Sequence, residues 1–407
     1  MKSRPSALNI AMLSIHSSPI GELGTRDTGG MSIYVRETAK EFGRRGHCID
    51  IFTQHSSGRH EPVVDLYDNV RLIHLSGETR GTVPKHSLYA YLPQLFCDLE
   101  SFKIKERIEY DILHSHYWLS GVLGAMAQSA WDIHHLLTYH TIGAVKQQAC
   151  PSEHETELRL TNERRLARVC DGLVVATQKE KEYLSRYDVS DNKITVIPCG
   201  VDLDRFKPLD KPSARRQLGF SGDDFIILYV GRYAPVKGLL RLLETVGRLT
   251  HLPGLRLVIV GGDGPHTPMF RQLQSEVTAL NIQNRVTFAG RVEQKTLPQY
   301  YSAADVLAVP SYYESFGLVA LEALACGTPV VTTPVGAMEK IVKDGVTGYV
   351  ATDSDPKHFA RQIEAIGLKQ QQGDLSPSKI RASVTEFTWA RSAFLLLEAY
   401  RRALHEQ

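Results

Sequence analysis

The stretch between residues 305 and 332 most constrains what this chain can fold into. An apolar run at 305–309 is followed by a polar loop, a helical stretch, a Gly-Thr-Pro sequence and a second apolar run at 330–332. Short apolar runs bounded in this way are typical of buried strands. Gly327 suits the left-handed position after a helix, and Pro329 prevents its continuation. The stretch therefore predicts strand, loop, helix and strand in succession.

Two carboxylates lie in this unit, Glu314 in the loop and Glu322 in the helix. The helix is otherwise made of Leu, Val, Ala and Cys, so Glu322 is predicted to be buried. A buried carboxylate needs hydrogen-bond donors, because an unpaired buried charge is costly, and sugar hydroxyls would supply them. The free N–H groups of the helix start between the two residues suit a phosphate. The alternative is that Glu322 lies on a solvated stripe and Glu314 is an ordinary loop charge.

The whole chain has the properties of an ordinary globular protein. Its 407 residues predict two or three domains at about 150 residues each. A net charge of +2 does not indicate a nucleic-acid partner, although a local basic patch leaves association with a membrane surface open. No apolar run approaches the roughly 20 residues of a membrane span, and the run at 8–15 is too short for a signal peptide.

The six cysteines are scattered and form no C-x-x-C pair, so neither a zinc site nor a disulfide framework is indicated. This pattern predicts a reducing cytoplasmic location. The sequence contains no H-E-x-x-H, no G-x-S-x-G, no Asp-rich metal loop and no P-loop pattern. These absences argue against the commonest hydrolases and against P-loop ATP chemistry, and we expect no bound metal and no resident cofactor.

The first half of the chain alternates between predicted strands and helices. Strands are predicted at 8–15, 48–53, 70–74, 111–116, 136–141, 172–177 and 194–198. Helices are predicted at 31–45, at 87–105, from after 121 to about 130, and over the polar stretch 150–170. Such alternation is the signature of βαβ units in a parallel sheet.

The charged, proline-containing stretch 202–216 is typical of an interdomain linker. After it, strands are predicted at 225–230, 255–260, 286–288, 305–309 and 330–332. Helices are predicted at 239–249 and at 389–405, and a further helix is predicted to end at about residue 280. Two βαβ series joined by a linker predict an α/β fold of two doubly wound, Rossmann-like domains. We expect domains at 1–205 and 206–387, and a helix at 388–407 that packs back on the first domain.

Charged and glycine-rich loops follow several predicted strands. Arg232 and Lys237 bracket a helix start, a suitable grip for a diphosphate, although two surface cations would look the same. Residues 28–30 include two glycines that permit close approach to a ligand, or form a merely tight turn. His16 and His116 each follow the carboxyl end of a strand, where open α/β sheets bind ligands. A lone histidine there is as often structural as functional.

Together these motifs resemble those of the retaining GT-B glycosyltransferases of family 4. Glu314 and Glu322, with seven residues between them, are similar to that family's paired-Glu motif, and Gly231-Arg232 with Lys237-Gly238 resembles its diphosphate grip. The segments 16–35 and 114–121 are similar to those of inositol-phosphate glycosyltransferases. The segment 85–93 looks closer to sucrose-phosphate synthases. The resemblance covers nearly the whole chain and implies a GT-B fold, with the two domains facing a cleft.

The resemblance also implies roles for individual residues. The implied catalytic residues are Glu314, His116, Arg232 and Lys237. The implied donor contacts are Gly30, Arg232, Lys237, Arg291, Val292, Glu314, Phe316, Gly317, Leu318 and Glu322. The implied acceptor contacts are His16, Asp27, Gly29, Lys85, Tyr117, Thr141 and Arg159. The segment from His140 through Lys146 departs from both groups of relatives, which leaves the identity of the acceptor open.

The function that the resemblance implies is metal-independent transfer of glucose or N-acetylglucosamine from a UDP-sugar co-substrate to a small polyol or sugar, with or without a phosphate. No nucleic-acid partner is expected, and the oligomeric state is left open, a homodimer included. One alternative is assembly of a polysaccharide or lipid-linked glycan. Others are a nucleotide-sugar-binding protein without catalysis and an epimerase of a UDP-sugar.

Overall fold

The computed structural model describes residues 7–21, 28–54, 61–77, 83–262, 264, 266–353 and 355–405. Within these ranges, the strands form two separate sheets, one from each half of the chain. Helices cover both, as the βαβ rhythm predicts. The α/β class with two doubly wound domains is confirmed.

The first sheet has eight strands in the order β3-β4-β2-β1-β5-β6-β7-β8. Their bounds are Asn9–Leu13 (β1), Cys48–Gln54 (β2), Val63–Tyr67 (β3), Val70–Leu75 (β4), Ile112–His116 (β5), His135–Thr138 (β6), Gly172–Val175 (β7) and Ile194–Val196 (β8). All neighbours pair in parallel except β3 with β4. The sequence analysis missed β3, because this edge strand is only half covered and carries no continuous apolar run.

The second sheet has six parallel strands in the order β11-β10-β9-β12-β13-β14. Their bounds are Phe225–Val230 (β9), Leu255–Val260 (β10), Val286–Gly290 (β11), Val306–Val309 (β12), Val330–Thr332 (β13) and Gly348–Val350 (β14). Strand β12 lies in the interior of the sheet between β9 and β13 and is entirely buried. The strand–loop–helix–strand unit at 305–332 therefore forms the middle of this domain.

The helices of the first domain are α1 to α6. Their bounds are Gly30–Arg44 (α1), Leu92–Glu106 (α2), Tyr117–Trp131 (α3), Gly143–Ala149 (α4), Glu157–Val169 (α5) and Gln178–Leu184 (α6). The prediction of one helix over 150–170 is wrong in its first part, since residues 150–156 are not helical. Pro151 disfavours helix at the residue before it, and Thr156 caps the start of α5.

The helices that follow are α7 to α15. Their bounds are Lys211–Leu218 (α7), Leu239–Arg248 (α8), Pro268–Ala279 (α9), Leu297–Ala303 (α10), Leu318–Ala325 (α11), Met338–Ile341 (α12), Pro356–Gln371 (α13), Pro377–Ala382 (α14) and Trp389–His405 (α15). The linker predicted at 202–216 is wrong beyond residue 210, because Asp210 caps α7 and accepts a hydrogen bond from the Ser213 N–H (2.9 Å).

The last helix, α15, returns to the first domain. The rings of Phe42 and Tyr400 are 5.6 Å apart between α1 and α15, and the Arg45 side chain donates to the Ala390 carbonyl at 3.0 Å. Tyr400 also contacts a buried histidine of β5, His114, at 2.6 Å. The exact domain boundaries stay a prediction.

Two properties of the described residues bear on other functional classes. None of their helices combines the length and apolarity that crossing a bilayer requires. No group of three or more His, Cys, Asp or Glu side chains among them is placed to hold a metal ion. All six cysteines are free thiols, and four of them are buried.

Candidate active site

A cavity of about 370 Å³ lies between the two domains. Its walls include the loops that follow β1, β9 and β12, at the carboxyl ends of those strands. In each sheet the chain reverses its order of strand addition beside β1 or β9. Open α/β sheets bind ligands at such switch points, so the fold directs two of them at one cavity.

The structure brings most of the predicted site residues to this cavity. Its walls include Gly30, Arg232, Lys237, Arg291, Val292, Glu314, Phe316, Gly317, Leu318, Glu322, His16, Gly29, Lys85, Tyr117 and Thr141. Two predicted residues, His116 and Arg159, are buried behind the wall. Asp27 lies outside the described residues.

Glu314 and Lys237 form an ion pair at the cavity wall. The Lys237 Nζ lies 2.7 Å from Glu314 Oε1, and the Ser311 hydroxyl donates to the same oxygen at 2.8 Å. Both side chains keep part of their surface exposed. A cation suited to a phosphate and a carboxylate suited to hydroxyls therefore stand side by side.

Two helix N-termini meet across the cavity. The N-cap residues of α1 and α11 are Gly29 and Gly317, and neither supplies a side-chain cap. The uncapped amides and the positive ends of the helix dipoles are left for a ligand, and an anion suits them best.

Gly317 permits the turn into α11. Its φ of +112° is a conformation that L side chains rarely adopt, and a Cβ there would lie 2.2 Å from the Met338 methyl. Only glycine therefore fits at position 317, directly before the helix.

Glu322 is buried in α11, as the sequence predicts, and protein groups supply some of its donors. The Tyr301 hydroxyl donates to its Oε2 at 2.8 Å, and the Gln294 side chain donates as well. Gln294 in turn accepts from Arg36 (2.8 Å) and Arg205 (2.7 Å), which fixes the orientation of its amide. Burial raises the pKa of Glu322 to about 7.

Two histidines form a hydrogen-bonded pair beside the cavity, and the one at the wall is His140, which the sequence analysis did not select. His140 Nε2 lies 2.9 Å from His116 Nδ1, and His116 Nε2 is buried with no hydrogen-bond partner among the residues that the structure describes. Burial lowers the pKa of His140 to about 3 and that of His116 well below 6.5, so both rings are neutral. The available signal was position, since His140 follows the carboxyl end of β6 as His116 ends β5.

The side of the cavity where the acceptor contacts are predicted is built around Tyr117. The Lys85 Nζ lies 4.3 Å and the Arg159 Cζ 4.9 Å from its ring centroid, and the His16 ring is 4.4 Å away. Tyr117, the first residue of α3, has a φ of +75°, a strained conformation for an aromatic residue. These groups form an aromatic surface with cations on it.

Carboxylates surround the cations of this side. Arg159 Nε pairs with Glu163 at 2.7 Å, its Nη1 pairs with Glu155 at 2.8 Å, and its Nη2 donates to the Thr141 carbonyl at 2.8 Å. Lys146, which the sequence analysis did not assign, lines the cavity and pairs with Glu155 at 2.9 Å. Arg159 therefore holds Thr141 in place from behind.

Comparisons with known proteins agree with this architecture. A family model described as Glycosyltransferase Family 4 matches residues 28–205, and one described as Glycosyl transferases group 1 matches residues 210–383. A D-inositol 3-phosphate glycosyltransferase of Geodermatophilus obscurus is 37% identical over 98% of this chain and 90% of its own. Sucrose-phosphate synthase from Thermosynechococcus elongatus is 32% identical with a TM-score of 0.90, over 98% and 100% of the two chains. An Anabaena protein solved with UDP and glucose is 22% identical with a TM-score of 0.76, over 97% and 100%, a likeness that shows the fold alone.

Proposed function

Because the chain belongs to glycosyltransferase family 4, we propose that it transfers glucose or N-acetylglucosamine from a UDP-sugar to a hydroxyl of a small polyol or sugar, with retention of the anomeric configuration. The observation that carries the proposal is the convergence in one cavity of the Glu314–Lys237 pair and two uncapped helix N-termini. This arrangement suits a molecule with a hydroxyl-rich end joined to a diphosphate.

In the proposed reaction, the bond between the anomeric carbon and the β-phosphate oxygen of UDP breaks. A bond forms between that carbon and the acceptor oxygen, on the face that UDP leaves, and the acceptor proton passes to the departing phosphate. Arg232, Lys237 and the two helix N-termini stabilise the charge that develops on the diphosphate. Glu314 holds the sugar hydroxyls, and Glu322 holds those of the ribose.

We propose a phosphorylated acceptor as the first to test. The name of the Geodermatophilus relative specifies an inositol phosphate, and that of the Thermosynechococcus neighbour a sucrose phosphate. Here Lys85 lies over the Tyr117 ring at the cavity wall, where a cation and a phosphate can meet beside the sugar. Lys85 lines the cavity, whereas Arg159 is buried behind its wall, so we assign the direct phosphate contact to Lys85.

The experiment is a donor screen followed by an acceptor panel. Thermal shifts with UDP-glucose, UDP-N-acetylglucosamine and their ADP and GDP counterparts select the donor. Transfer is then measured to inositol phosphate, fructose 6-phosphate and membrane-bound glycans, and NMR of the product gives the anomer. Binding without transfer to any acceptor would support a non-catalytic protein. Transfer only to pelleted membranes would support glycan assembly.

The first prediction concerns Gly30, where α1 faces α11. A Cβ at Gly30 would lie 3.4 Å from Leu318 Cδ1, an ordinary contact distance, and Gly30 does not have a positive φ. We therefore expect Gly30→Ala to fold normally while its methyl group displaces the diphosphate from the α1 amides. Affinity for UDP, measured by calorimetry, should fall about tenfold or more, the effect of one lost charge-assisted hydrogen bond.

Gly247→Ala is the matched control, because its Cβ would also lie 3.4 Å from a leucine, Leu280, on a helix away from the cavity. It should bind UDP as the unmodified chain does. Equal UDP affinity in both variants would show that the α1 N-terminus does not approach the diphosphate.

The second prediction is a proton release at Glu322. With a pKa of about 7 this carboxyl is partly protonated at neutral pH, whereas only its ionised form can accept from both ribose hydroxyls. Donor binding should therefore become stronger as pH rises, by about tenfold between pH 6 and pH 8 for a pKa near 7. Calorimetry with UDP-glucose in buffers of different ionisation enthalpy measures the protons released.

Glu322→Gln is the control, since its amide keeps the volume of the side chain and does not titrate in this range. The variant should bind UDP-glucose more weakly and with no proton release. A wild-type chain that also releases none between pH 6 and pH 8 would place Glu322 away from the ribose.

A further inference from the structure

The carboxylate of Glu180 contacts both the start of its own helix and the second domain. At the start of helix α6, the Thr177 hydroxyl accepts from the Glu180 N–H (3.2 Å), and the Glu180 carboxylate accepts from the N–H groups of Thr177 and, through Oε2, of Ala176 (2.9 Å). Of the two carboxylate oxygens, Oε2 makes the contact with the Ala176 N–H. The other, Oε1, reaches across the cavity and accepts a hydrogen bond from the Ser315 hydroxyl of the second domain at 2.6 Å.

Tyr313, which also belongs to the second domain, likewise forms hydrogen bonds with the first domain. Its hydroxyl accepts a hydrogen bond from the Ile142 N–H at 3.2 Å and donates one to the Glu180 carboxylate. Ile142 directly follows Thr141, on the acceptor side of the cavity. Tyr313 and Ser315 are the two neighbours of Glu314 in the chain. We call Ile142, Glu180, Tyr313 and Ser315 the cleft clasp.

The cleft clasp connects one loop of each domain at the cavity. One side holds the loop of Thr141, and the other holds the loop of Glu314. Glu180 is buried, so the hydroxyls of Tyr313 and Ser315 are donors that water cannot easily replace. Every hydrogen bond of Tyr313 and Ser315 to the first domain requires the closed cleft, since the partners belong to different sheets.

We propose that Tyr313 and Ser315 are positioning residues, which through Glu180 and Ile142 bring the acceptor loop to the donor sugar and keep water out while transfer occurs. The clasp fixes the positions of Thr141 and Glu314 relative to each other only when the two domains are in contact. Its loss should affect donor binding less than acceptor binding, because the proposed nucleotide contacts of Arg291, Val292 and Glu322 lie outside the loop that carries Tyr313 and Ser315. Its loss should weaken acceptor binding and increase hydrolysis of the donor.

The first test is amide hydrogen exchange, which does not depend on any activity. Tyr313→Phe removes one hydroxyl and keeps the ring, so the Ile142 amide loses its acceptor. We expect exchange in the peptide containing Ile142 to become about tenfold faster. Tyr110→Phe is the matched control, because its hydroxyl donates to Asp50 at 2.6 Å inside the first domain, and it should leave this peptide unchanged.

The second test is kinetic, and it rests on the proposed function. In Tyr313→Phe and Ser315→Ala we expect the KM for the acceptor to rise about tenfold and the ratio of UDP-sugar hydrolysis to transfer to rise with it. The KM for the donor should change less than about twofold. Tyr110→Phe should retain the wild-type values.

The outcomes separate the two proposals. Unchanged exchange at Ile142 in Tyr313→Phe overturns the clasp, and so does faster exchange with a wild-type acceptor KM and hydrolysis ratio. A wild-type chain that transfers no sugar overturns the proposed function, and hydrogen exchange then still decides whether the clasp holds the domains together.

Discussion

Glu314→Gln should lower sugar transfer by about a thousandfold while the chain still binds UDP. Glutamine keeps the size of the side chain, but its amide removes the charge that pairs with Lys237 at 2.7 Å and that strengthens hydrogen bonds from the sugar hydroxyls. UDP lacks the transferred sugar that Glu314 is proposed to hold, so its affinity should change little. The measurement is kcat/KM by UDP release, with UDP affinity by calorimetry.

The matched control is Glu398→Gln, which breaks an ion pair of similar length, 2.6 Å to Arg401, on the exposed face of α15. It should transfer sugar at the wild-type rate. Near-normal transfer by a folded Glu314→Gln variant would show that Glu314 does not hold the donor sugar during transfer.

Arg232→Met should lower kcat by about a hundredfold to a thousandfold and also weaken UDP binding. Arg232 lies in the loop after β9, at the cavity wall, where its guanidinium can contact the diphosphate and stabilise it as it leaves. Methionine retains much of the apolar stem without the charge. The pattern differs from that of Glu314→Gln, because loss of a diphosphate contact affects UDP itself.

Arg248→Met provides the comparison, since Arg248 is an exposed cation in the last turn of α8 in the same domain. It should leave both UDP affinity and transfer unchanged. If Arg232→Met bound UDP as tightly as Arg248→Met, the cation would not be part of the diphosphate site.

The regular part of the fold was predictable because buried parallel strands are continuous apolar runs. Strands β1, β9 and β12 stand out in this way, and the loops after them carry polar residues that no core would need. The errors fall where this signal is weak. Strand β3 is an exposed edge, and α7 begins inside a charged stretch because Asp210 caps it.

The sequence alone determined which loops carry the predicted site residues, since the paired glutamates, the cation pair and the glycines lie within short segments whose local structure follows from neighbouring residues. Only the tertiary structure decided which side chains meet. It set His140 at the cavity wall with His116 behind it, and it joined Glu180 to Ser315 across 135 positions of the chain. Periodicity and capping act over one or two turns, whereas contacts between two domains depend on how both sheets close over the cavity.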